Sequence, residues 1–318
     1  MASSLRLFFA TDLHGSEKCF LKFLNTPQAY KVTTLILGGD VTGKMIVPIV
    51  ASPTGIYTSD FLSNKYTLKS DKEVEELERK IRFTGYYPYR TTPDEVAQLR
   101  ADPSKLDAVF TSVMSDTLRK WVALAEERLK GKGVRVYMTG GNDDRSEVED
   151  VLKSSDYVID PEGEVVTLED GREMISSGWS NPTPWKTPRE CSEEEIEAKL
   201  ASMISKVQNM GKCVFNLHVP PFDSGLDTCP KLDEKLKPVY AGSEIIMMAA
   251  GSKAVRTAIE RYQPAVGLHG HIHESRGFIK IGRTLCLNPG SEYTEGILRG
   301  VIVELDGEKV KNYLLTVG

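Results

Sequence analysis

The chain has 318 residues, 40% of them apolar and 27% charged, which excludes a disordered or fibrous polymer and leaves room for one large domain or two smaller ones. Forty basic against forty-five acidic side chains give a net charge of −5, so a nucleic-acid or membrane-surface binder is not expected. The five cysteines (Cys19, Cys191, Cys213, Cys229, Cys286) are dispersed and read as reduced thiols; with no leader-like N-terminus and no apolar span of bilayer length, a cytoplasmic, soluble protein is the expectation.

Short apolar runs at 5–10, 34–37, 134–138, 213–217 and 265–268 each end in a polar cluster. Unbroken runs of this length read as strands buried on both faces. Helical spacing appears at 16–24, at 106–129 and at 192–207, where Ser192-Glu193-Glu194-Glu195 has the form of a capping box. The segments 277–281, 284–287, 300–305 and 310–316 read as a closing set of antiparallel strands. Strands alternating with helices predict the α/β class, sheet inside and helices outside.

Between Asp40 and Gly141 lies far more chain than one crossover helix requires. Residues 44–104 read as an insertion on a single domain spanning 1–318: a β-like stretch at 44–68, a charged helix at 71–82 and the aromatic run Tyr86-Tyr87-Pro88-Tyr89. The tyrosines are expected to pack within the insertion, which is also the expected route to any oligomer.

Metal-capable side chains follow five of the predicted strands: Asp12-Leu13-His14, Gly39-Asp40, Asn142-Asp143, His218, and His271-Ile272-His273. Side chains two apart on extended chain point the same way, and ligands of parallel sheets gather at the carboxyl ends of the strands. Taken singly, Asp-x-His or Gly-Gly-Asp is most often a turn, and a lone histidine is most often a hydrogen-bonded core residue. The ordered set is what points to chemistry.

In that order, Asp12-x-His14, Gly39-Asp40, Gly141-Asn142-Asp143-Asp144, His218 and Gly270-His271-x-His273 resemble the five blocks of the calcineurin-like metallophosphoesterases, over residues 5–291. The resemblance implies a four-layer α/β/β/α sandwich of two mixed β-sheets flanked by helices. It also implies a dinuclear metal centre, with Asp12, His14 and His273 on one ion, Asn142, His218 and His271 on the other, and Asp40 bridging. Mixed histidine and carboxylate ligation suits manganese, with iron, zinc or nickel as alternatives, better than an all-oxygen cage. The implied activity is hydrolysis of a small phosphate ester by a metal-bridging hydroxide.

The chain departs from the family at Asp143, where most members have histidine. This substitution favours phosphodiesters, since Asp143 is expected to stay ionised beside two cations and so to be a poor acid. Arg145 could supply the missing positive charge or simply lie on the surface. His269 reads as a support behind the ligands or as a packed core residue. The loop 178–185, with Trp179 and Trp185, could wall the site or pack on the surface. Phosphomonoester hydrolysis and a non-catalytic metal-binding scaffold are the alternative functions. Retention of all seven ligands argues against the scaffold.

Overall fold

The computed structural model describes residues 4–318. Ser4–Ala10 shows how its layers arise. Phe8 and Ala10 join a cluster with helix residues Phe20, Phe23, Leu118 and Trp121, whereas Leu5, Leu7 and Phe9 face the opposite way. There they meet Val214, Val266, Leu268, Leu285 and Leu287 of a second sheet. That second sheet turns Ile175, Phe215 and Cys286 outward onto Ile196, Leu200, Met203, Val255 and Ile259. The period-two alternation of each strand thus fills two helix–sheet layers and one sheet–sheet layer. This is the four-layer α/β/β/α sandwich.

The first sheet runs Lys309–Val317, Arg299–Asp306, Ser4–Ala10, Thr34–Gly38, Arg135–Thr139, Val158–Ile159. The second runs Gly277–Ile281, Thr284–Asn288, Val266–Leu268, Val214–Leu217, Glu173–Ser177, Val165–Thr167. Both sheets are mixed. Ser4–Ala10, Thr34–Gly38 and Arg135–Thr139 are mutually parallel, as are Glu173–Ser177, Val214–Leu217, Val266–Leu268 and Thr284–Asn288. The strands at 5–10, 34–37, 134–138, 213–217 and 265–268 therefore occur where their apolar runs predict, and the chain closes in antiparallel pairs.

Helix boundaries follow local chemistry. The first helix, Glu17–Tyr30, passes Pro27 instead of stopping near Leu24. Proline removes the N–H that would reach the Phe23 carbonyl, and the Thr26 hydroxyl donates to that carbonyl instead, at 2.7 Å. Pro103–Leu129 starts at a proline behind Asp102, whose side chain accepts from the N–H groups of Ser104 and Lys105. Glu193–Ile204 carries both bonds of the expected capping box. Pro93–Ala101, Glu147–Lys153 and Lys253–Tyr262 are helices that the pattern reading passes over.

Residues 46–91 form a four-stranded side sheet in the order Asn64–Leu68, Tyr57–Phe61, Ile46–Ala51, Tyr87–Thr91. Helix Asp71–Phe83 covers it with Val74, Leu77 and Ile81 on Val47, Ile49, Phe61 and Leu68. Tyr87 leaves that cluster and enters the main core, its hydroxyl accepting the Gly43 N–H at 2.7 Å. Thr228–Pro230 and Met247–Ala249 pair at the base of a second excursion, which leaves Tyr240, Ile245, Met247 and Met248 exposed. All five cysteines are free, and no helix among the described residues is long and apolar enough to cross a membrane.

Candidate metal centre

The carboxyl ends of the parallel strands from both sheets open onto one edge, and their loops are bonded together there. Asp12 N–H donates to the Gly39 carbonyl at 3.0 Å, His14 N–H to that of Asp40 at 2.8 Å, and Gly270 N–H to that of His218 at 2.9 Å. Asp144 fastens the second loop to the third: its buried carboxylate accepts from the backbone N–H groups of Val41, Thr42 and Gly141 at 2.7–2.8 Å. A side chain at Gly141 would strike the Asp40 backbone nitrogen and carboxylate at 2.2 Å, so only glycine lets these loops approach so closely.

The seven residues expected as ligands converge. One oxygen of Asp40 lies 3.5 Å from His14 Nε2 and 3.5 Å from His218 Nε2, between the two groups. On one side, ligand atoms of Asp12, His14 and His273 lie within 4.8 Å of one another; Asp12 comes within 3.3 Å of His273 Nε2. On the other, Asn142 Oδ1 faces His271 Nδ1 at 2.7 Å and His218 Nε2 at 3.1 Å. Asp12, His14, Asp40, Asn142 and His218 are all buried, while the His273 side chain is 32% exposed and marks the open face.

This geometry is held under strain. Asp12, His14, Asp40 and His271 adopt left-handed backbone, with φ of 55°, 43°, 49° and 67°. Such conformations cost about 1–2 kcal/mol per non-glycine residue and persist only where the surroundings over-determine them. The inter-loop bonds do so here, together with two contacts from the His271 N–H to the Asp12 carboxylate at 3.1–3.2 Å.

The electrostatics fit a cation site. Burial opposes charge on Asp12 and Asp40, yet the neighbouring imidazoles, His218 foremost, hold both carboxyls below the ordinary range. His218 is pushed up to about 10 against its own burial, by Asp40 and Asp12. Burial pushes His14 down to about 3 and His271 to about 4. His14 Nε2 faces His273 Nε2 at 3.1 Å, which requires a proton or a cation between the two nitrogens. The other His14 nitrogen is buried without a hydrogen-bond partner. Facing carboxylates and imidazoles of this kind, three to four ångströms apart, are a donor set suited to first-row divalent metals.

The remaining expected residues divide. Asp143 reaches the cluster: its carboxylate lies with ligand atoms of His14 and Asp40, 3.9 Å from His14 Nδ1. Its pKa is raised by burial and by Asp40, against the opposing pull of Lys44, so the protein's own groups push it opposite to the depression expected beside cations. The positive charge beside it is not Arg145, whose guanidinium binds Asp107 at 2.7 Å and Thr111 at 2.8 Å and lies 4.6 Å from the Phe110 ring. Arg145 is spent on helix Pro103–Leu129. Lys44 pairs with Asp143 instead.

His269 Nδ1 binds the Leu217 carbonyl at 2.8 Å, one residue before His218, and burial takes its pKa down to about 4. Trp185 is 61% exposed, and Trp179 lies under Lys199. The same loop has a contact that the tryptophans did not advertise: the Asn142 amide donates to Thr187 Oγ1 at 2.9 Å, and Thr187 is bonded in turn to Glu190. Tyr293 also escaped the sequence reading. Its ring lies 4.7 Å from that of His14 and 6.0 Å from that of His273, walling the open face. Nothing in its local sequence marks it, beyond its place shortly after Asn288-Pro289-Gly290-Ser291.

No protein-family profile matches the chain. An uncharacterized protein of Methanocaldococcus jannaschii is 32% identical over 158 residues, which cover 49% of this chain and 64% of that relative. The match thus spans less than two thirds of the relative's length. Among solved structures, one crystal structure overlaps 99% of each chain with a TM-score of 0.59 and 16% identity. A Thermus thermophilus protein overlaps 99% of each at a TM-score of 0.51 and 11% identity. An archaeal phosphodiesterase is found at 0.39, with 14% identity and coverage of 99% and 100%, an overlap that by itself assigns no activity. The chain is similar in fold to the first two of these structures.

Proposed function

We propose that this chain is a dinuclear-metal-dependent phosphoesterase acting on phosphodiesters. The observation that supports it best is the position of Asp40, one oxygen equidistant from an imidazole of each ligand group. In this reading Asp12, His14 and His273 would hold one cation and Asn142, His218 and His271 the other, with Asp40 shared between the two groups. Two divalent ions, when bound there, supply charge neutralisation for a phosphate and a water of lowered pKa. The chain's residues do the rest. Asp12 and Asp40 leave the loaded site with a net positive charge that draws an anion. Thr187 orients the Asn142 amide so that its oxygen faces the histidines. Tyr293 closes one flank of the exposed imidazole.

The preference for diesters rests on Asp143. Its side chain is 17% exposed and stands at the open face within reach of the ligand cluster. An anionic carboxylate there repels a dianionic monoester more than a monoanionic diester. The test is metal analysis of the purified protein, followed by aryl diester and monoester substrates with manganese added. We expect two metal equivalents per chain and faster diester turnover. Full metal occupancy with faster monoester turnover would replace the diester reading, and full occupancy without turnover would favour a binding scaffold.

A further inference from the structure

Lys44 is the first residue past a stretch whose backbone is pinned. Thr42 N–H donates to Asp144 at 2.8 Å and Gly43 N–H to Tyr87 at 2.7 Å. A side chain at Gly43 would meet the Gly85 carbonyl at 2.2 Å, so the side sheet sits directly against this turn. The lysine stem is thereby launched from a fixed point, although its side chain is 49% exposed. Its ammonium rests on Asp143, whose carboxylate belongs to the group formed with His14 and Asp40.

Two arginines near the same loops are committed. Arg145 is held by Asp107 and Thr111. Arg189 is buried and binds Glu149 and the carbonyls of Asp144 and Arg145. Lys44 differs from both in having an open face, a flexible stem and three donors, enough to keep Asp143 and accept a second anion.

We propose that Lys44 is the phosphate-binding cation of this centre, donating to a non-bridging oxygen of the bound phosphate while Asp143 holds the ammonium over the metal ligands. This rests on the phosphoesterase reading and deepens it. The positive group missing after Asn142 comes from a distant segment, the start of the side-sheet excursion.

The test is calorimetric titration of manganese-loaded protein with inorganic phosphate, alongside elemental analysis, for wild type, Lys44→Ala and Lys44→Arg. Loss of a charge-assisted hydrogen bond predicts that Lys44→Ala weakens phosphate binding about 10- to 100-fold, with Lys44→Arg recovering part of the affinity. Metal content should stay at the wild-type level, because Lys44 donates nothing to a cation. Wild-type phosphate affinity in a fully loaded Lys44→Ala protein would overturn the proposal, leaving Lys44 as a counter-ion to Asp143. Loss of metal in that variant would overturn it in favour of a role in building the site. A wild-type protein that takes up no manganese would instead bring down the phosphoesterase reading, and this one with it.

Discussion

The sandwich and the side sheet are both β-structure, yet they treat charge in opposite ways. At the strand ends of the sandwich, Asp12, Asp40 and Asp144 are buried among backbone donors and imidazoles. In the side sheet the charges stay at the surface and pair with one another, as Arg90 does with Glu78 at 2.6 Å. Surface pairs of that kind contribute at most about 1 kcal/mol, whereas a buried carboxylate must be answered by specific partners. The contrast teaches where the chemistry is placed: the sandwich gathers buried carboxylates and imidazoles at one edge, and the approach to the side sheet adds one lysine.

The largest effect expected from breaking this contrast comes from the ligands. Asp40→Asn or His218→Ala should lower turnover of an aryl diester by at least about 100-fold, more than loss of an outer support usually costs a metal site. Measurement with saturating manganese decides it, and near-wild-type rates in either variant would remove that residue from the metal site.

Next comes a half-buried acid beneath the same edge. Glu162 accepts the Gly178 N–H at 2.7 Å, and burial pushes its pKa from 4.5 up to about 7. The folded chain therefore binds this proton more tightly than the unfolded chain does. The resulting stabilisation is complete below about pH 4.5 and is lost as pH rises to about 7, a change of up to about 3 kcal/mol. Glu162→Gln keeps an acceptor and removes the titration. Its thermal melting should be flatter than wild type from pH 4.5 to 8, with a gain at the alkaline end; parallel curves would show that Glu162 titrates normally.

The smallest effect lies at the seam between the two regions. Tyr87→Phe keeps the ring in the core and leaves the Gly43 N–H without its acceptor, which should cost about 1–3 kcal/mol in denaturant unfolding. An unchanged midpoint would mean that this hydrogen bond adds nothing to the joint, leaving it to packing and to bonds such as that from Ser16 Oγ to the Phe83 carbonyl.

The residues that were legible in the sequence are those whose side-chain type and strand-end position coincide. Asp12, His14, Asp40, Asn142, His218, His271 and His273 could be read as a set because each follows an apolar run closely. Lys44 could not, because a lysine opening a long excursion looks like any solvated lysine, and its partner Asp143 is adjacent only in the fold. For the same reason residue order left Arg145 open between a place in the site and one on the surface, and the fold puts it on Asp107 and Thr111. The pair of two-stranded ribbons within 228–249 has strands of two or three residues, too short for any period to show. The first helix outran its expected end because a threonine hydroxyl satisfies the carbonyl that proline orphans, and hydroxyl direction is not written in residue order.

The left-handed backbone at Asp12, His14, Asp40 and His271 has a bearing on how such a protein changes over generations. Glycine at any of these positions would delete a ligand and at the same time release about 1 kcal/mol of backbone strain. Mutational drift toward a sturdier chain and selection for a filled metal centre therefore pull in opposite directions at the same four codons. At Asp12 and Asp40 the relief is opposed, because glycine there would also strip the buried His218 of its carboxylate partners, so these strained positions are held by their neighbours as well as by use.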